Sequence, residues 1–269
     1  MDIVIPVSIV ALIGLIAGII LTVAAKLMHV SVNEKVEQIR DELPGANCGA
    51  CGFAGCDDYA SALVMKEGIS TSACPVGGAY LSIAIARILG VESEAAEPKI
   101  ATVLCRGSSD AIRRVMKHDK EWSCRAAIQL YGGQMECRYG CLGLGDCVQA
   151  CPHGAIKIVN RLAVVDKEAC VGCGLCAKAC PKNAIEMREE SKRIYIACKS
   201  LDTGLFTMKA CEEGCIGCKR CVDVCRFDAI KVENNLAKID YDKCKMCGMC
   251  VKECITGAII DLRKKQKKQ

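Results

Sequence analysis

Aromatic side chains are scarce in this 269-residue sequence, with one Trp, three Phe and six Tyr. So little aromatic area leaves few large anchors around which cores can form. The three histidines, His29, His118 and His153, are scattered and read as ordinary surface residues, although His153 directly follows Cys151-Pro152. The net charge of +5 is mild. No basic stripe with interleaved aromatics is present, so nucleic acid is not an expected partner. No G-x-G-x-x-G follows a strand-like run, which argues against a flavin or nicotinamide pocket in this chain. Residues 3–25 lack charge altogether.

What the sequence has instead is cysteine, 24 of them. In a secreted chain this density suggests disulfides. Here Cys170, Cys173, Cys176 and Cys180, followed by Pro181, spell C-x2-C-x2-C-x3-C-P. In that run three thiolates hold one [4Fe-4S] cluster and the fourth ligates its neighbour. The spacing therefore predicts a reducing compartment, with small modules held mainly by clusters. Adding 74 to positions 124, 137, 141, 147, 151, 170, 173, 176 and 180 gives 198, 211, 215, 221, 225, 244, 247, 250 and 254, and every one is a cysteine. Ala155-Ile156 maps onto Ala229-Ile230, Ala184-Ile185 onto Ala258-Ile259, and Asp166 onto Asp240. The chain thus carries an internal duplication, each copy a two-cluster ferredoxin unit.

One ligand breaks the repeat, because Cys218 maps back onto Leu144. Cys137, four residues before Cys141, is the nearest thiol in sequence that can replace it. The expected sets are Cys137, Cys141, Cys147 and Cys180, with Cys170, Cys173, Cys176 and Cys151, in the first unit. In the second they are Cys215, Cys218, Cys221 and Cys254, with Cys244, Cys247, Cys250 and Cys225. Cys48, Cys51, Cys56 and Cys74 form C-x2-C-x4-C-x17-C, a fifth [4Fe-4S] site, with structural zinc as its alternative. Zinc ribbons fit the four-cysteine runs poorly, since they need two pairs separated by a longer gap. Cys105, Cys124, Cys198 and Cys211 are left over. Their number allows a sixth cluster, while the alternative is ordinary buried thiols. Val103-Leu104-Cys105 also resembles Ile196-Ala197-Cys198 locally.

The expected fold class is α+β: one N-terminal transmembrane helix, a small helical [4Fe-4S] module and two tandem ferredoxin units. Residues 1–28 form the anchor, because a 23-residue uncharged run at 3–25 is long enough to cross a bilayer. Lys26, His29, Lys35 and Arg40 follow it and only Asp2 precedes it, which puts the C-terminal side in the cytoplasm. A cleaved signal peptide would want a positive n-region and a shorter apolar core. Gly14 and Gly18 give a weak helix-contact pattern. Residues 29–90 form the single-cluster module, with helices expected at 31–43, 57–67 and 79–89. Residues 91–123 are a linker with a strand at 100–104, and 109–131 read as helical. The ferredoxin units span 124–190 and 191–262, with strand-like arms at 157–159, 163–165, 231–233 and 237–239. A basic tail, 263–269, ends the chain.

An anchor, then Cys48-Gly49-Ala50-Cys51-Gly52-Phe53-Ala54-Gly55-Cys56, then a duplicated ferredoxin containing Glu136-Cys137-Arg138-Tyr139-Gly140-Cys141, resembles the B subunits of the Rnf electron-transport complexes along essentially the whole chain. Arg226 and Ile255 depart from the usual Pro after the last cysteine but remove no ligand. The resemblance implies a membrane-anchored protein that accepts electrons from soluble reduced ferredoxin. It would relay them to other subunits of a complex that reduces NAD and exports Na+ or H+. The catalytic site would lie elsewhere in that complex. It also implies a bacterial or archaeal cell (inner) membrane, with a single pass, the N-terminus outside and the cluster domains cytoplasmic. Rsx relatives use similar subunits to reduce a redox-sensing regulator. The alternative is a membrane-tethered polyferredoxin serving a hydrogenase or another reductase without a pump. Lys178, Lys182, Lys219, Arg220, Lys245 and Lys252 lie near the cysteines and suit an acidic ferredoxin.

Overall fold

Glycine and asparagine interrupt the cysteine-rich part so often that it can form only short elements, and the computed structural model of the chain shows helices and strands of three to seven residues there. The structure describes residues 4–27, 33–93, 97–116, 123–130 and 132–263. Helix α1 (Val4–Leu27) comes first. Its described apolar side chains, from Leu12 to Val23, are exposed. Among the described residues no helix is long and apolar enough to cross a membrane.

Three helices then make the first module. Asn33 starts α2 (Glu34–Glu42) by accepting a hydrogen bond from the Lys35 amide at 3.0 Å. Next come α3 (Cys56–Met65) and α4 (Gly78–Leu89), which ends on left-handed Gly90. Their apolar faces meet in a core of Ile39, Tyr59, Leu63, Leu81 and Ile85. Tyr59 donates its hydroxyl hydrogen to the Ser70 carbonyl at 2.8 Å. Burial pushes its pKa up to about 12.

The first ferredoxin unit contains β1 (Lys99–Val103), α5 (Cys124–Gln129), α6 (Asp146–Gln149), β2 (Ile156–Val159), β3 (Leu162–Val165), α7 (Leu175–Ala179) and β4 (Ile185–Glu189). The second contains β5 (Ile194–Ile196), α8 (Gly204–Ala210), α9 (Arg220–Asp223), β6 (Ile230–Glu233), β7 (Leu236–Ile239), α10 (Met249–Glu253) and β8 (Ile259–Asp261). Hairpins β2–β3 and β6–β7 turn on Asn160-Arg161 and Asn234-Asn235, with positive φ at both residues of each turn. That is the two-residue hairpin geometry whose twist matches the strands. Gly143 and Gly217, also related by the offset of 74, pass under these turns at φ 66°. A Cβ would lie 2.0 Å from the Arg161 carbonyl oxygen at Gly143 and 2.9 Å from that of Asn235 at Gly217. Only glycine meets both demands.

Each unit closes with a second, long-range antiparallel pair. β1 pairs with β4 through Val103↔Ile185, and β5 pairs with β8 through Ile196↔Ile259. The next hydrogen bonds match as well: Leu104 N–H to Ala184 O and Ala197 N–H to Ala258 O, both 2.7 Å. β1 therefore occupies in the first unit the place that β5 occupies in the second, and Cys105 is the spatial counterpart of Cys198.

The helix expected over 109–131 is a correction. Only α5 is helical there among the described residues. After a single turn on Ser108, buried Ile112 forms a bridge with Cys211, the Arg113 amide donates to Ala210 O, and the Glu212 amide donates to Ala111 O, both at 2.9 Å. Pairing with the second unit overrides local helix preference in this stretch. The seam between units is reinforced by Arg106, which donates to Gly257 O at 2.7 Å and pairs with Glu213 at 3.2 Å. Arg188 also lies over the rings of Tyr195 and Tyr241, 5.4 and 4.9 Å from their centroids.

Candidate metal centres

Short helices aim the cysteines. In the first unit α6 and α7 carry Cys147 and Cys176, and the chain leaving them delivers Cys151 and Cys180 toward the opposite site. In the second unit α9 and α10 do the same with Cys221 and Cys250, then Cys225 and Cys254.

Around one cavity stand Cys151, Cys170, Cys173 and Cys176, beside His153 and Met187. Burial pushes the Cys176 thiol up to about 11, and charge on Cys170, Cys173 and Cys151 adds to it. Cys48, Cys51, Cys56 and Cys74 line another cavity with Tyr59, in the first module. The Cys56 amide there donates to Asn47 Oδ1 at 2.8 Å, which fixes the loop against the start of α3. In the second unit Cys221 is pushed up to about 12, first by burial and then by Cys215, Cys254 and Cys218. Cys250 rises to about 11 through burial and then through Cys244, Cys247 and Cys225. Cys218 and Cys247 are exposed.

The remaining site differs from the expectation. Cys141, Cys147 and Cys180 share a cavity with Cys124, not with Cys137. Burial pushes Cys147 up to about 12, and the thiols that add to it are Cys141, Cys124 and Cys180. The reason is Asp146, whose carboxylate accepts the Cys124 and Arg125 amides at 2.6 and 3.1 Å and so pins the start of α5 beside Cys147. The repeat places Arg220 at that position in the second unit. Cys137 turns away into the seam, where it lines a cavity with Cys105, Cys198 and Cys211. The leftover set Cys105, Cys124, Cys198 and Cys211 is therefore not the one the fold brings together. Sequence distance favours Cys137 as the replacement thiol, and only the Asp146 contact singles out Cys124.

The donors are thiols throughout, which suits iron-sulfur clusters or zinc. Four thiolates on one zinc ion, each about 2.3 Å from it, crowd around a single point. Among the described residues no three His, Cys, Asp or Glu side chains are grouped to hold one metal ion. In the first module and the first unit's two sites the thiols line cavities instead, and burial disfavours charge on Cys74, Cys124, Cys141, Cys147 and Cys176 until a cationic group joins them. Backbone amides are already directed at sulfur: Ala184 N–H to Cys180 Sγ at 3.3 Å and Ser200 N–H to Cys198 Sγ at 3.4 Å. Such hydrogen bonds hold cluster ligands in place and tune potential.

Family comparisons also point to iron-sulfur binding. Residues 43–76 match a family described as a putative Fe-S cluster. Residues 138–187, and again 169–229 and 214–258, match 4Fe-4S dicluster domains. The B subunit of the Na(+)-translocating ferredoxin:NAD(+) oxidoreductase complex of Acetobacterium woodii is 45% identical over 96% of this chain and 77% of its own length. Its proton-translocating counterpart from Clostridium ljungdahlii is 42% identical over 92% of this chain and 88% of its own. The B subunit of the ion-translocating oxidoreductase complex of Methanosarcina acetivorans is 37% identical over 94% and 96%. With two 4Fe-4S dicluster-type units, a further Fe-S module and this likeness along nearly its whole length, the chain belongs to the family of B subunits of ion-translocating oxidoreductase complexes.

Proposed function

We propose that this chain is the membrane-anchored electron-transfer subunit of a complex that couples ferredoxin oxidation and NAD reduction to ion export. The observation that supports the reading is the convergence of four cysteines on each of three cavities, with buried Cys221 and Cys250 under the electrostatic influence of the other thiols of the second unit; on it we assign twenty cysteines to five sets of four. Cys48, Cys51, Cys56 and Cys74 hold the first [4Fe-4S] cluster. Cys124, Cys141, Cys147 and Cys180 hold the second, and Cys151, Cys170, Cys173 and Cys176 the third. In the second unit the sets are Cys215, Cys218, Cys221 and Cys254, then Cys225, Cys244, Cys247 and Cys250. When bound, such clusters supply one-electron storage at potentials set by their surroundings. The chain's own residues hold them, keep water off the buried sulfurs and direct amides at them.

Other subunits of the complex are the partners that the relatives' names support. Reduced ferredoxin is proposed to dock at the second unit. Exposed Cys218 and Cys247 bring two sites to the surface there, beside exposed Lys219, Arg220 and Lys245, which attract an acidic partner. Lys182 is instead committed to the Gly132 and Arg138 carbonyls at 2.7 and 2.6 Å. The proposed anchor is residues 1–28, with the N-terminus outside and the clusters cytoplasmic. Its support is the uncharged run and the exposed apolar surface of α1, where the one described hydroxyl, Thr22, donates to Gly18 O at 2.7 Å. The run contains no acid or base to carry an ion, so ion passage falls to other subunits.

Inside-out membrane vesicles test the reading. Vesicles with the chain should reduce NAD from reduced ferredoxin and accumulate ions, and vesicles from a strain lacking it should do neither. Retention of both without the chain overturns the proposal. NAD reduction without ion uptake in intact vesicles favours the polyferredoxin alternative.

A further inference from the structure

The four cysteines left outside the five sets are gathered at one place, in the seam between the two ferredoxin units. Cys105, Cys137, Cys198 and Cys211 line one cavity with Gly107, Ile112, Gly140 and Thr207. Two thiols come from each unit, and they come from matching positions. Cys105 follows β1 as Cys198 follows β5, with matching Leu104 and Ala197 hydrogen bonds. Cys137 and Cys211 are related by the offset of 74, and each stands three residues before a glycine, Gly140 and Gly214. The cavity thus has a pseudo-twofold donor set that neither unit can supply alone.

The lining leaves room beside the sulfurs. A Cβ at Gly140 would stand 3.6 Å from both Cys105 Sγ and Cys137 Sγ, and one at Gly107 would stand 3.4 Å from Cys211 Sγ. The thiols are also electrostatically coupled. Burial raises Cys211 to about 11, with Cys137 and Cys198 adding to it. Burial raises Cys105 and Cys198 as well, and Cys137 contributes to both. Ordinary buried thiols have no reason to converge four at a time, from equivalent places in two repeats, with a backbone amide already directed at one sulfur.

We propose that Cys105, Cys137, Cys198 and Cys211 hold a sixth [4Fe-4S] cluster that belongs to both ferredoxin units. This rests on the iron-sulfur reading of the other five sites. Its position is set by two neighbours. Cys105 lies within electrostatic reach of Cys141, a ligand of the Cys124 site, and takes a backbone hydrogen bond from it. Cys198 has the same relation to Cys215, a ligand in the second unit. The sixth site therefore lies between the first unit's Cys124 site and the second unit's Cys215 site and would connect them. It also ties the units together covalently through iron, in addition to the Arg106 and Arg188 contacts.

Anaerobic iron and acid-labile sulfide analysis of the full chain, wild type and Cys198→Ala side by side, tests the proposal. The wild type should carry about 24 irons and Cys198→Ala about 20, with the reduced EPR spectrum losing one component. Cys198→Ser keeps a weaker ligand in place and should hold iron with an altered spectrum, which covers the case in which the alanine variant does not accumulate. A wild type with about 20 irons, or Cys198 variants with unchanged iron and spectrum, overturns the sixth site while leaving the five-cluster reading standing. A wild type with zinc and no iron overturns that reading itself.

Discussion

Replacing Cys124 by alanine should remove about four irons and four sulfides from the chain, even though this cysteine lies outside every ferredoxin run in the sequence. It shares a cavity with Cys141, Cys147 and Cys180, and it fills the place vacated at Leu144. Asp146→Ala should act on the same site without touching a ligand. It leaves the Cys124 and Arg125 amides without their 2.6 and 3.1 Å acceptors. Losing hydrogen bonds to a charged group costs about 1.5–3 kcal/mol each, so the variant should melt earlier and lose that one cluster more readily on exposure to air. Asp146→Asn, which keeps one acceptor oxygen, should fall between the two. Anaerobic iron analysis with thermal melts checks the series, and full iron content in Cys124→Ala would return the ligand role to another thiol.

Deleting residues 1–27 should move the chain from the membrane fraction to the soluble fraction with its iron content intact. Across this stretch each Leu, Ile or Val favours insertion by about 0.3–0.6 kcal/mol, and an aspartate at the centre opposes it by about 2.5–3.5 kcal/mol. Ile16→Asp should accordingly weaken retention without deleting the helix. The first module should be unaffected, because its core is built from α2, α3 and α4. Carbonate extraction and the mass of the mature N-terminus read the outcome. A truncated chain that stays in the membrane as firmly as the intact one contradicts the anchor, and a mature chain lacking the segment makes it a cleaved signal.

Much of the ferredoxin architecture was legible because it is local. The hairpins appear as strand-like arms around Asn234-Asn235 and its counterpart, and the fourfold runs number their own ligands. The pairs β1–β4 and β5–β8 were not legible, since their partners lie far apart and short apolar runs carry no pairing signal of their own. The exchange of Cys124 and Cys137 was missed for a related reason. Counting from Cys141 favours the nearer thiol, whereas the fold brings the distant one close through Asp146. Two signals pointed the right way: the likeness of Val103-Leu104-Cys105 to Ile196-Ala197-Cys198, and an aspartate standing where the repeat has Arg220. The first makes Cys105 the counterpart of Cys198 and leaves Cys124 without one.

The most direct test is an anaerobic reductive titration of the intact chain with reduced ferredoxin, followed by visible absorbance and EPR. The account predicts bleaching of an iron-sulfur spectrum and uptake of several electrons per chain, up to about five or six, approximately one for each cluster of sufficient potential. A chain that takes up no electrons from reduced ferredoxin and shows no reduced-cluster signal would contradict it.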